Sequence, residues 1–518
     1  MNDSPLLELV SREELSARKG YKMGHKANND VRMYCLLREP EHLEEFDWET
    51  NEKIIWCDND TIICVCSRDM LQYDETSYFS FSIERENFLH GTVFGKTDAA
   101  IAETATWLLS LSSLRKFNKV IVGGYATSIT RKHFDVASFS AKQLTQILGA
   151  NPTRCISFIA SQLTTEQIVY LAKRPFPISL KLNRYQSTDD KGLRDEGTTL
   201  VDALENRQSA FGSLELDASS NRPIMSRANL ERLLRLDFII DKLSLDFLHA
   251  DIVLSPFVAR VQALNYNFTV KDLRPEDFET LDIVAKDLKL TINLDGATQW
   301  SEILISLLNR LACLGHFESL SFSFDTSDVL PVTLGSDQAL VHALVNVIAG
   351  NPHLISFDFE NTHALINMAP YKETICQALE EHRGLRSVIF HKFPPFHRIF
   401  AELLYPLEHS RQQELWYSVL ERLLSRNRRI NVCDNRGNRY TNGSTIDTLY
   451  ALNDFYNGSF DLLKEDSTSL RPLYVATALT AGASANFQCA ALLLSDHTDI
   501  LCEFLHNEET IDSSERES

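Results

Sequence analysis

The chain has 518 residues, 44% of them hydrophobic and 24% charged, the composition of a folded protein and not of a disordered one. Asp and Glu number 71 against 51 Lys and Arg, a net charge of −20, which argues against nucleic acid or an anionic membrane as partner because both need clustered cations. That length is too great for one compact core, so the chain is either several domains or a repeat array growing in one direction.

Residues Met1 to Lys19 alternate charged and apolar side chains, with no apolar core of signal-peptide length. No run of about 18 uncharged apolar residues occurs, so no membrane span is expected. The ten cysteines are scattered; Cys155, Cys313, Cys376, Cys489 and Cys502 fall in apolar segments, as reduced, buried thiols of a cytosolic or nuclear protein do. Residues 1–45 mix charge with small polar groups and are expected to be partly loose. Across 46–97, "KIIWC", "TIICVC" and "SYFSFSIE" read as short strands between polar turns, a small β unit capping the first edge of a larger array.

That unit ends in "HGTVFGKTDAA". Gly95-Lys96-Thr97 has the ending of a phosphate-binding loop, but the first glycine, Gly91, is one residue too close and His90 stands where the motif needs it. A β-turn and a capped helix start explain the stretch; a nucleotide-hydrolysing switch built on Gly95-Lys96-Thr97 is the enzymatic alternative. Cys57, Cys64 and Cys66 lack the second close pair of a zinc site, and His391 and His397 lack a third ligand, so no metal or cofactor is expected.

From residue 98 to 393 one phrase recurs. "SAKQLTQILGANPTRCISF" and "SDQALVHALVNVIAGNPHLISF" each begin at a serine cap and continue as an amphipathic helix. A Gly/Pro stop comes next, and then alternation of period 2. The strand half returns as "SLELD", "KLSLD", "ALNYNF", "TINLD", "SLSFSFD" and "RSVIFH". Its inward markers Leu216, Leu245, Tyr266, Leu294, Phe322, Phe357 and Phe390 come about every 28 residues, a solenoid period. The unit resembles the leucine-rich repeat of the long, ribonuclease-inhibitor-like kind. The resemblance implies an α/β solenoid, with a curved parallel sheet inside and helices outside.

Beyond Phe393 the strand signal stops. "QQELWYSVLERLLSR" is expected to open a helical cap across 394–505, and the composition of 506–518 is that expected of a disordered acidic tail. The stretches "NRYTNGSTIDTLYALNDFYNGSFDLLKE" and "RPLYVATALTAGASANFQCAALLLSDHTDILCEFL" are similar to the C-terminal part of repeat proteins predicted in unicellular algae.

In such a solenoid the strand residues between the inward positions stack into columns on the concave face. One column carries Asp217, Asp246, Asn267, Asp295 and Asp358; its neighbour carries Glu215, Asn265 and Asn293, with Lys181 at its start. These residues are the candidate partner-binding set, suited to a basic segment of another protein because stacked carboxylates repel until a cation lies on them. The expectation is a non-enzymatic protein-interaction scaffold, with no nucleic acid, membrane or small-molecule partner; an adaptor bringing a substrate to a separate enzyme is the other reading of the same surface.

Overall fold

The computed structural model describes residues 5–11, 32–46, 53–57, 59–65, 77–84, 89–112, 119–122, 134, 138–150, 155–160, 163–183, 193, 195–217, 224–246, 248, 250–294, 299–325, 338–360, 372–390, 406–434 and 437–462, with scattered positions between 475 and 502. The chain divides into two compact units, Met1–Phe268 with Asp282–Ala285, and Thr269–Leu281 with Lys286–Ser518, so the stretch 98–393 contributes to both.

The first unit begins as a mostly antiparallel sheet. Its strands are β1 (Leu7–Leu9), β2 (Arg32–Leu36), β3 (Lys53–Trp56), β4 (Ile62–Val65), β5 (Ser77–Glu84), β6 (Leu89–Gly95) and β7 (Lys119–Val122). They are ordered β1-β2-β3-β4-β6-β5-β7, with only β2 and β3 parallel. The segment expected to be partly loose thus supplies β1 and β2. Ile54, Ile55, Ile62 and Ile63 are all buried, so consecutive side chains on opposite faces are both covered. Helix α1 (Asp98–Ser110) packs on β5 and β6.

The Gly-Lys-Thr stretch takes its shape from this packing. Gly91 and Gly95 belong to extended β6, and a Cβ on Gly91 would lie 2.2 Å from the buried Phe81 ring. Thr97 caps α1, its side chain accepting from the Ala100 amide. An extended strand does not curl its amides around a phosphate; here the glycine makes room for an aromatic ring.

From β7 onward the first unit is parallel. β8 (Cys155–Ala160), β9 (Ile178–Asn183), β10 (Gly212–Asp217), β11 (Ile240–Asp246) and β12 (Ala263–Thr269) each pair with the strand before. Helices α2 (Ala141–Ala150), α3 (Thr165–Lys173), α4 (Thr198–Glu205) and α5 (Arg227–Leu234) fill the crossovers as far as β11, and consecutive helices are neighbours. Two 3-10 turns, Ala250–Ile252 and Ser255–Val258, make the last one. Each helix buries the stripe its sequence announces: Leu144, Ile147 and Leu148; Ile168, Leu171 and Ala172; Leu200, Val201 and Leu204; Leu230, Leu233 and Leu234.

The second unit repeats the scheme. β13 (Asp287–Asn293), β14 (Ser319–Asp325), β15 (Ser356–Glu360), β16 (Ser387–Phe390) and β17 (Asn431–Cys433) run parallel in order. Between them stand α6 (Trp300–Leu314), α7 (Gln338–Gly350), α8 (Lys372–Glu381) and α9 (Pro406–Arg426), and α10 (Thr445–Leu462) comes after β17. β17 lies in the region read as purely helical. Three residues are too few to show an alternation, and only the burial of Ile430 and Val432 marks the strand.

The architecture is therefore mixed α/β, with parallel strands joined by helical crossovers in each unit. Among the described residues, no helix is long and apolar enough to cross a membrane.

Candidate functional site

In the first unit, register decides which polar side chains meet. Leu182, Leu216, Leu245 and Tyr266 are paired in turn across β9 to β12, and Leu180, Leu214, Leu243 and Leu264 form a second buried row. The residues between them face the other way. Lys181, Glu215, Ser244 and Asn265 make one polar row; Asn183, Asp217, Asp246 and Asn267 make the next. Of the candidate residues, Glu215, Asp217, Asp246, Asn265 and Asn267 are thus on adjacent strands, about 4.8 Å apart.

The rows are not a bare acidic ladder. Lys181 Nζ lies 2.5 Å from Glu215 Oε1 and 3.5 Å from Asp217 Oδ2. Burial works against the charge on this ammonium, but the hydrogen bonds and charges of Glu215 and Asp217 outweigh it and hold its pKa above the ordinary lysine value. Lys181 is therefore a fixed cation and not an amine nucleophile.

One strand further, Asp246 gets only a weak share of that relief. Asp217 is 8% exposed, and the Asp246 carboxyl is its neighbour on the next strand. Two adjacent carboxylates can hydrogen-bond to each other only with a proton between them. Burial first, then the adjacent Asp217, push the Asp246 carboxyl up to about 6, against the smaller pull of Lys181. Asn267 Oδ1 is buried and has no hydrogen-bond partner among the described residues. These two rows offer acceptors and a sharable proton, and their ammonium, Lys181, is already paired to acids; Lys242 stands on the same side of β11 one row away, opposite Ser213 and Ala263. The chemistry of the two rows is that of a surface receiving donors or cations. Among the described residues, no group of three or more His, Cys, Asp and Glu is arranged to hold a metal ion.

The second unit places its candidates differently. Phe322 pairs with Leu290 and Phe359, not with Leu294 and Phe357. Asp358 accordingly stands opposite Ser321, whose hydroxyl donates to its Oδ2 at 3.1 Å, and Lys289 completes that row. Asn293 is opposite Asp325. Asp295, His391 and His397 lie outside the described residues. An open recess in this unit is lined by Arg274, Pro275, Glu276, Asp277, Gln299 and Glu302. Asp277 there accepts from the Arg274 amide, and Glu302 stands in the first turn of α6, roles that belong to helix starts.

Lys289 is the residue that the sequence columns lacked; Lys181 stood at the head of its column, but its pairing with Glu215 and Asp217 was not read there. Lys181 precedes its strand's marker by one residue, as Glu215 does; Lys289 was hidden by a four-residue register error. Neither a protein-family model nor a curated protein matches the chain.

Proposed function

We propose that the chain is a non-enzymatic protein-interaction scaffold of the cytosol or nucleus, built as a leucine-rich-repeat-like solenoid. Its binding surface is the polar strand face of β9 to β12. The observation that supports this reading is the register itself, which gathers Glu215, Asp217 and Asp246 on two adjacent strands with Lys181 paired to the first two. A basic segment laid across the strands places cations about 4.8 Å apart where the carboxylates crowd, and so relieves their repulsion.

A fluorescent oligolysine peptide titrated into the full chain tests the proposal. Anisotropy should report binding that weakens with salt, and the triple variant Glu215→Gln, Asp217→Asn, Asp246→Asn should weaken it at least about tenfold, some 1.4 kcal/mol. Asp358→Asn, in the second unit, should leave it unchanged. Equal affinity of wild type and triple variant would remove this face from the account.

A further inference from the structure

Three buried side chains of the second unit occupy one recurring position, and a fourth extends their series. Asn351 follows the last residue of α7, His382 follows α8, Asn427 follows α9, and Asn453 lies within α10; they are 0%, 8%, 7% and 2% exposed. Each donates backwards, to a main-chain carbonyl of the preceding module. Asn351 Nδ2 donates to Leu311 O at 3.2 Å and to Val347 O of its own helix at 2.8 Å. His382 Nε2 contacts Asn351 O at 2.9 Å, while its Nδ1 accepts from the Leu385 amide at 3.0 Å, which fixes the tautomer with the proton on Nε2. Asn427 Nδ2 reaches both Leu379 O and His382 O at 2.9 Å, and Asn453 Nδ2 reaches Leu424 O at 3.0 Å.

Two features set this series apart from ordinary helix capping. The bonds are continuous from Leu311 to Asn427, because the carbonyl of one rung residue accepts from the next: Asn351 O from His382, His382 O from Asn427. The chemistry of the first three rungs is also the same. Each pairs a backward donor with an acceptor that takes a backbone amide: Phe317 N on Asn351 Oδ1, Leu385 N on His382 Nδ1, Arg429 N on Asn427 Oδ1. Asparagine and neutral histidine share that bifunctional character; apolar or acidic residues do not. The last carbonyls of a helix lack amide partners further along it, and these residues serve them, at Leu311 O alongside the capping Gly315 amide. α7 comes close enough for the exchange because Gly350 lacks a Cβ, which would lie 2.6 Å from Ala312 O.

We propose that Asn351, His382, Asn427 and Asn453 form a polar spine that couples α6 through α10, so that the modules of the second unit open together and not one by one. Burial makes the coupling strong, since a rung that loses its partner leaves a carbonyl stranded away from water.

Hydrogen exchange on the full chain, read helix by helix, tests this. Asn427→Ala should speed exchange roughly fivefold, the factor a lost hydrogen bond of ordinary strength implies. The speeding should extend beyond α8 and α9, which Asn427 touches, to α6 and α7, which it does not. Asn351→Asp keeps the acceptor and the shape but loses the donor, and should loosen the same set of helices. Should Asn427→Ala fail to fold, Asn453→Ser at the end of the spine gives the same test with a smaller change. Faster exchange confined to the helices that touch each mutated residue would overturn the proposal, as would an Asn351→Asp protein exchanging like wild type.

Discussion

Replacing Asp246 by asparagine should make the protein more stable at neutral pH. The fold raises this carboxyl from an ordinary value of 3.8 to about 6, chiefly by burial and then through Asp217. Between those two values the folded chain keeps a proton that the unfolded chain has released. Stability contributed by the group is therefore greatest at acid pH and falls as pH rises through the interval, with the full cost present above pH about 6. Two units correspond to about 3 kcal/mol; solvent screening of a carboxyl that is only partly covered reduces this to about 1.5 kcal/mol. Asparagine carries no charge, and its amide can donate to Asp217 in place of the shared proton. In urea unfolding of the full chain, with amide exchange on β10 and β11 read alongside, Asp246→Asn should gain about 1.5 kcal/mol at pH 7.5 and almost nothing at pH 4. A variant no more stable than wild type at pH 7.5, or one whose gain is the same at both pH values, would show that the two aspartates do not oppose each other.

Lys181→Met should have the opposite effect, costing about 1 kcal/mol at pH 7.5 by leaving Glu215, Asp217 and Asp246 without their cation. Combined with Asp246→Asn it should cost measurably less, and a double-mutant cycle measures the coupling. Gly350→Ala sets the better helix former, worth up to about 1 kcal/mol, against the backbone oxygen of Ala312. That oxygen cannot swing aside, so a net loss of about 1–3 kcal/mol is expected in thermal or urea unfolding. Gly91→Ala should cost a similar amount, since its Cβ meets the Phe81 ring in a filled core; a neutral result would mean that the ring has somewhere to go.

Signal strength decides how much of this fold is legible in the sequence. The helices were legible because stripes such as Leu144, Ile147 and Leu148 sit on a period that nothing else imitates. Stacking of Leu182, Leu216, Leu245 and Tyr266 was legible for a related reason: each is followed directly by Asn or Asp, a flag that aligns the four strands. β14 and β15 carry Leu320, Phe322 and Phe324, and Phe357 and Phe359, in which every second residue suits the core equally. A slip of two keeps all faces correct and changes only the neighbour; that is how Asp358 came to be aligned past Ser321. β17 gave no periodicity in three residues. The spine was hidden because most of its rungs are Asn and His just past a helix, where a turn residue is expected anyway. Only their burial, invisible in a linear reading, reveals the second duty.

Each spine residue donates to nothing but a peptide carbonyl, a group that every module carries whatever its side chains. The joint is therefore generic. A chain lengthened or shortened by a whole helix-and-strand module presents the same mating ends to its neighbours, whereas a cut made half-way through one separates a donor from its acceptor. The second unit is in this sense built from interchangeable parts, with its freedom to vary in size confined to whole-module steps.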